Sequence, residues 1–235
     1  MKKTNKIKKP LKTNYNLKGN KYDHFPETND ELIKLVKDMI NISGNNVDLN
    51  NVDVFYIDDF SHVFSFERSF NGDVSEWNVS NGKDFDYMFF GCNGFDSDLS
   101  DWDVSNSKNF LHMFSACNKF NHDLSEWDVS NGKYFNCMFL ECYNFNYDLS
   151  KWCVSNGKYF DYMFYECYYF NSDLSKWDVS KGIDFRFMFY RCKNFDFDLS
   201  EWNVLNAEKW ESFALLSLFE DYPERIPKKF RSDYL

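Results

Sequence analysis

The chain is expected to fold as an α/β repeat solenoid, a right-handed coil of short parallel strands and short helices closed by helical caps. Three observations predict it. Tryptophan recurs at Trp77, Trp102, Trp127, Trp152, Trp177 and Trp202, every 25 residues. Several unrelated residue types repeat with the same phase, and the array is flanked by segments suited to capping. A period of this size marks stacked supersecondary units, each burying its apolar face against its neighbours.

The first element of the unit is a strand. Trp77 and Val79 are two apart, so both face one side while Asn78 faces the other. Stacked strands predict a parallel ladder whose outer, concave side carries Asn78, Asp103, Asp128, Cys153, Asp178 and Asn203. A short helix is expected next. Phe85, Met88, Phe89 and Cys92 stand at i, i+3, i+4 and i+7, one helical stripe, and Ser80-Asn81 precedes them as a capping pair. Phe95 and Leu99 then lie on an irregular return. All these positions recur as columns, including Cys92, Cys117, Cys142, Cys167 and Cys192.

The ends complete the domain organisation. Residues 1–21 form a basic tail, expected to be disordered, and 22–51 an N-terminal capping helix region. In that region Thr28-x-x-Glu31 reads as a capping box, Leu32, Leu35, Val36, Met39 and Ile40 share a face, and Gly44 stops the helix. The repeats occupy 52–214, starting from a degenerate unit with Val52 in place of the indole. Residues 215–235 are a C-terminal cap and tail: Phe213, Leu215, Leu216, Leu218 and Phe219 predict an apolar helix, which Pro223 and Pro227 end.

The strings Asp123 to Asn131, Met138 to Cys142 and Phe145 to Ser150 resemble the BspA-like leucine-rich-repeat family, with its 25-residue mycoplasma lipoprotein-type repeats. The resemblance covers about residues 22 to 214 and implies a leucine-rich-repeat-like fold. Family members occur in mycoplasmas, on bacterial surfaces, in protists and in giant amoebal viruses, and the aromatic, Asn- and Lys-rich composition is closest in style to the viral ones. One departure is visible: Gly82, Gly132, Gly157 and Gly182 stand where the family has Val, with Phe three residues later instead of Met. The larger ring fills the volume that the missing side chain leaves.

Charge and composition exclude several functions. The net charge of −10 divides into +8 on residues 1–21 and −18 on the remainder, so the body repels phosphate and is a poor nucleic-acid binder. No apolar run follows the lysines as in a secretion signal, and none is long enough to span a membrane, which favours an intracellular or virion location. In such a reducing setting the five ladder cysteines are expected as reduced core thiols, while Cys137 and Cys153, off the ladder, are expected at the surface. No metal site is expected, because Cys-x-x-Cys spacing is absent. The column Asp73, Asp98, Asp123, Asp148, Asp173 and Asp198 suits either calcium bridging or, more simply, acceptance of backbone amides at a turn. Nor is an enzyme or a cofactor expected: His24, His62, His112 and His122 do not recur with a nucleophile, and no phosphate-binding loop is present.

What changes between repeats is aromatic. Tyr143, Tyr147, Tyr162, Tyr165, Tyr168 and Tyr169 crowd the fourth and fifth units. Tyrosine offers large contact area and a polar tip at modest entropic cost. These six, with Asp103, Asp128 and Asp178 of the outer strand face, form the candidate surface for a protein partner. The alternatives are a structural or assembly component of a virion and, third, a calcium-dependent surface adhesin.

Overall fold

The computed structural model describes residues 21–233. The basic segment thus lies outside the described residues except for Lys21, whose ammonium lies over the Tyr22 ring and 3.7 Å from Glu76 Oε2. From 52 to 214 equivalent residues of successive repeats lie over one another. Trp77 and Trp102 stack at 6.4 Å with rings 3° from parallel, Phe89 and Phe114 at 5.7 Å, Phe95 and Phe120 at 5.8 Å. The Trp, Phe, Met, Cys, Val and Leu columns merge into one continuous apolar core running the length of the array.

The backbone between these columns departs from the expected strand and helix. Parallel bridging is not at Trp77–Val79 but at single positions in the chain Asp59, Asp84, Asn109, Tyr134, Tyr159, Asp184 and Lys209. Turns close on either side of the Trp-x-Val segment, with Trp77 N donating to Val74 O and Gly82 N to Val79 O, which leaves no room for a strand. Neighbours are joined there by side chains instead. Each indole Nε1 donates to the carbonyl 28 residues earlier: Trp77 to Leu49, Trp102 to Val74, Trp127 to Leu99, and so on to Trp202, at 2.8–3.1 Å.

No α-helix occurs within 52–214. Phe85, Met88, Phe89 and Cys92 are fully buried, as the stripe requires, but the chain carrying them is a run of turns. Alternate amides are exported: Phe85, Tyr87, Phe89 and Gly91 N donate to Asn109, Leu111, Met113 and Ser115 O of the next repeat. The intervening amides of Met88, Phe90 and Cys92 close back three residues, onto Phe85, Tyr87 and Phe89. Left-handed backbone every fourth residue, at Tyr87 (φ 52°) and Gly91 (φ 74°) and again at Cys137 and Glu141, keeps the same face inward. The non-glycine residues among them cost about 1 kcal/mol or more each. The exported hydrogen bonds offset that cost by tying every unit to its neighbour. Ser80-Asn81 accordingly caps no helix: Ser80 bonds to Asn78, and Asn81 Nδ2 donates to Phe55 O of the preceding unit at 2.7 Å, as Asn106, Asn131, Asn156 and Asn206 do in theirs.

The Gly–Phe exchange has a direct steric basis. A Cβ on Gly82, Gly132, Gly157 or Gly182 would sit 2.2–2.5 Å from Cζ of Phe85, Phe135, Phe160 or Phe185. At the one interior unit with Ser107 in this place, Phe110 stands 6.2 Å from Phe85 on one side and 5.6 Å from Phe135 on the other, the latter equal to Phe135–Phe160.

The N-terminal end follows expectation. Helix α1 spans Asn29–Ser43, with Leu32, Val36 and Ile40 buried and Gly44 at its end at φ 87°. Thr28 Oγ1 accepts from Glu31 N, while Glu31 Oε2 reaches one residue further back than in the standard box, to Glu27 N. The C-terminal end does not follow it. Instead of an apolar helix, turns lead into three 3-10 segments, Leu218–Glu220, Pro223–Arg225 and Lys228–Asp233. Pro223 opens one of them, a position where its missing N–H costs nothing. The residues beyond it are the plug rather than a tail: Ile226 and Phe230 are fully buried, and Phe230 packs on Phe185, Trp210 and Phe213. Leu199 N donates to Arg225 O at 2.8 Å, tying this plug to the last repeat.

Replacing Trp127 with Phe keeps an aromatic ring but removes one of the two donors to the buried Leu99 carbonyl, which retains Trp102 N, and equilibrium urea unfolding should show a loss of about 0.5–1.5 kcal/mol. Gly157→Ala should cost about 1–3 kcal/mol by overpacking. Adding Phe160→Leu to it should recover part of the loss in the same assay, and a Gly157→Ala chain as stable as the parent would refute the steric account.

Candidate functional site

The aromatic residues singled out in the sequence sort into stacks on the outside of the turn segment. Tyr143 and Tyr168 lie face to face at 5.1 Å, and their hydroxyls donate to the carboxylates of Glu141 and Glu166 two residues before them. Tyr162 stacks on Phe187 at 4.8 Å and Tyr165 on Tyr190 at 4.7 Å, with Tyr162 and Tyr165 themselves 5.7 Å apart. Arg191 joins the group, bonding Glu166 at 2.7 Å and lying over the Tyr190 ring. Four of the six tyrosines are therefore half-buried members of fixed stacks. Burial, together with Glu141, pushes the Tyr143 phenol up to about 12, so it stays a protonated donor. Tyr147 and Tyr169 are exposed and stand outside these stacks.

Asp103, Asp128 and Asp178 belong to a different part of the repeat. With the Trp-x-Val segment not paired as a strand, they line no ladder; each is exposed and accepts the amide of the serine two residues on, at 3.0–3.1 Å. The column from Asp73 to Asp198 does the same, every carboxylate taking the amide of Ser75, Ser100, Ser125, Ser150, Ser175 or Ser200 at 2.8–2.9 Å. The repulsion expected of stacked carboxylates is thus met by backbone donors. Among the described residues no group of three or more His, Cys, Asp or Glu converges to hold a metal ion.

Further aromatic contacts were not anticipated. Tyr134 and Tyr159 stack at 5.3 Å, 1° from parallel, on the bridged column. His62, Tyr87 and His112 form a second outer column, at 4.9 and 4.5 Å. The spacing of 25 relates the members of each pair, so the signal was present in the sequence; it was hidden because His, Tyr and Phe alternate in these columns. Burial brings His112 down to about 4, leaving a neutral imidazole at pH 7. Its Nδ1 and the buried Ser115 Oγ, three residues on, each lack a hydrogen-bond partner, so the two are not joined as a base and nucleophile.

All seven cysteines are free. The ladder thiols donate to phenylalanine carbonyls 28 residues earlier, from Cys92 to Phe64 through Cys192 to Phe164, at 2.9–3.0 Å. Cys153 is exposed, as expected. Cys137 is not: a left-handed turn residue in the outer column between His112 and Tyr162, it is only 7% exposed, and burial raises its thiol to about 12.

No helix among the described residues is long and apolar enough to cross a membrane. Compared with family models, the chain matches "Mycoplasma protein of unknown function, DUF285" twice, over residues 31–143 and 133–220. No curated protein and no solved structure matches.

In the native chain a thiol reagent at pH 8 should titrate one fast cysteine of the seven. Cys153→Ser should abolish that phase, whereas Cys137→Ser should leave it intact; a second fast thiol would contradict the placement of Cys137.

Proposed function

The chain belongs to the DUF285 family of mycoplasma-type repeat proteins, and from that premise we propose that it is a non-enzymatic module for binding a protein partner, built as a right-handed, leucine-rich-repeat-like solenoid of the BspA type. One observation carries this reading. The inward columns scarcely change from repeat to repeat, whereas the outward columns of the turn segment vary and gather tyrosines between Tyr143 and Tyr190. Core identity follows from packing; a local aromatic concentration on the outside does not.

The stacks also suit binding energetically. Tyr162, Tyr165 and their partners Phe187 and Tyr190 are already ordered by ring contacts, so little side-chain freedom is left to lose on association. Tyr169, 56% exposed beside them, supplies free aromatic surface, and Glu141, Glu166 and Arg191 supply a charged rim. The acidic body argues against a nucleic-acid partner.

The test is affinity capture from the native cell with the parent chain and with Tyr165→Ser, Tyr168→Ser and Tyr169→Ser combined. A defined partner should bind the parent and weaken by at least about tenfold with the triple variant, as for a cluster of interface hot spots. Retention of every partner, or recovery of the chain solely as an abundant component of particles, would speak for a structural role instead.

A further inference from the structure

Ala116, Glu141, Glu166 and Arg191 form one outer column and share a left-handed backbone, at φ 60°, 58°, 58° and 56°. Their amides bond carbonyls of the next repeat at 2.7–3.0 Å. Equal conformations on hydrogen-bonded rungs send the four side chains the same way, about 4.8 Å apart.

The C-terminal end of the column is paired within the chain. Arg191 Nη1 bonds Glu166 Oε1 at 2.7 Å, and its guanidinium lies 5.4 Å from the centre of the Tyr190 ring. Glu166 Oε2 takes the Tyr168 hydroxyl at 2.8 Å. Glu141, one rung back, has the matching phenol, Tyr143 at 3.3 Å, but no cation among the described residues. Ala116, the next rung, is too short to offer a charge. Burial and Glu141 raise the Tyr143 phenol, and burial, Glu166 and Glu141 raise that of Tyr165. For Tyr168 the bond to Glu166 comes first, with burial and Glu141 behind it. The half-buried Glu141 carboxylate thus acts on three tyrosines at once. Ring faces attract cations, and a guanidinium plane suits both a ring and a carboxylate. Two carboxylates against one guanidinium leave the column one cation short.

We propose that the tyrosine surface takes an arginine from a basic segment of its protein partner, entering over Ala116 to bind Glu141 beside Tyr165, as Arg191 binds Glu166 beside Tyr190. This rests on the reading of the surface as a protein-binding one and adds the chemistry of the partner. The −18 charge beyond residue 21 steers such a segment toward the body. Pairing at Glu141 decides where it docks.

The chain has three alanines, so ¹³C-methyl labelling gives one signal beside Glu141, from Ala116, and two buried in the last repeat, from Ala207 and Ala214. The full chain is titrated by NMR with the probe peptide Ac-Arg-Gly-Arg-Gly-Arg-NH2. A saturable shift of the Ala116 methyl is expected, with Ala207 and Ala214 still and no shift when glutamine replaces every arginine. Glu141→Gln should weaken binding at least about fivefold through loss of the charge-assisted pair. Asp101→Asn, an equal charge change at an exposed position on another segment, should alter it less than about twofold. Ala116→Arg offers the cation within the chain and should abolish broadening of the peptide signals; it carries the test if Glu141→Gln melts early. A silent Ala116, equal weakening by Glu141→Gln and Asp101→Asn, or equal binding of the glutamine peptide would overturn the proposal. So would a captured partner that is lost with the three tyrosines yet kept by Glu141→Gln, an outcome that leaves the protein-binding reading standing. Retention of every partner by the triple tyrosine variant fails that reading itself.

Discussion

The structure depends on one constraint: each repeat completes the hydrogen bonding of the next. The indole of Trp127 and the thiol of Cys142 both donate to main-chain carbonyls 28 residues earlier, Leu99 and Phe114, inside the buried core. Four amides of each turn segment point the other way, onto carbonyls 24 residues ahead. Buried polar groups without partners are expensive, so no unit is satisfied alone. This explains why Trp and Cys, residues that other apolar side chains could replace by volume, hold their columns so regularly. It also explains the ends, where α1 and the plug around Ile226 and Phe230 stand in for missing neighbours.

The same constraint accounts for what could be read from the sequence and what could not. Burial was legible throughout: every member of the Trp, Val, Met-Phe, Cys and Leu columns is inside, because periodicity reports which side chains share an environment. Helix α1 was legible from Thr28, Glu31 and Gly44, whose roles are local. The element at Phe85–Cys92 was not. A helix and a run of turns with a left-handed residue every fourth position bury the same i, i+3, i+4, i+7 set, and periodicity cannot separate them. What distinguishes them is the destination of the amides, which is a relation between repeats. The poor helix formers of this segment, rich in Phe, Tyr, Asn and Asp, were the available hint.

At the candidate surface, the six tyrosines were legible as a concentration but not as an arrangement. Sequence spacing placed Tyr143 over Tyr168, yet the anchoring of their hydroxyls by Glu141 and Glu166 depends on a turn geometry that a helix would not give. Asp103, Asp128 and Asp178 lie in the Trp-x-Val segment as read, apart from the tyrosines, but line no ladder because the bridged positions are elsewhere. Cys137 was misplaced for a related reason: leaving a column of large aromatic rings suggested the surface, whereas a small side chain there sinks between its neighbours.

Cys137 has a consequence for the outer surface as a whole. It occupies the place between His112 and Tyr162 in the column that begins His62, Tyr87, His112 and resumes Tyr162, Phe187. Rings on either side are too far apart to touch across it, although the core beneath runs on unbroken. The exterior is thereby split into two aromatic fields on a single rigid support. Each field can diverge, repeat by repeat, without disturbing the packing of the other.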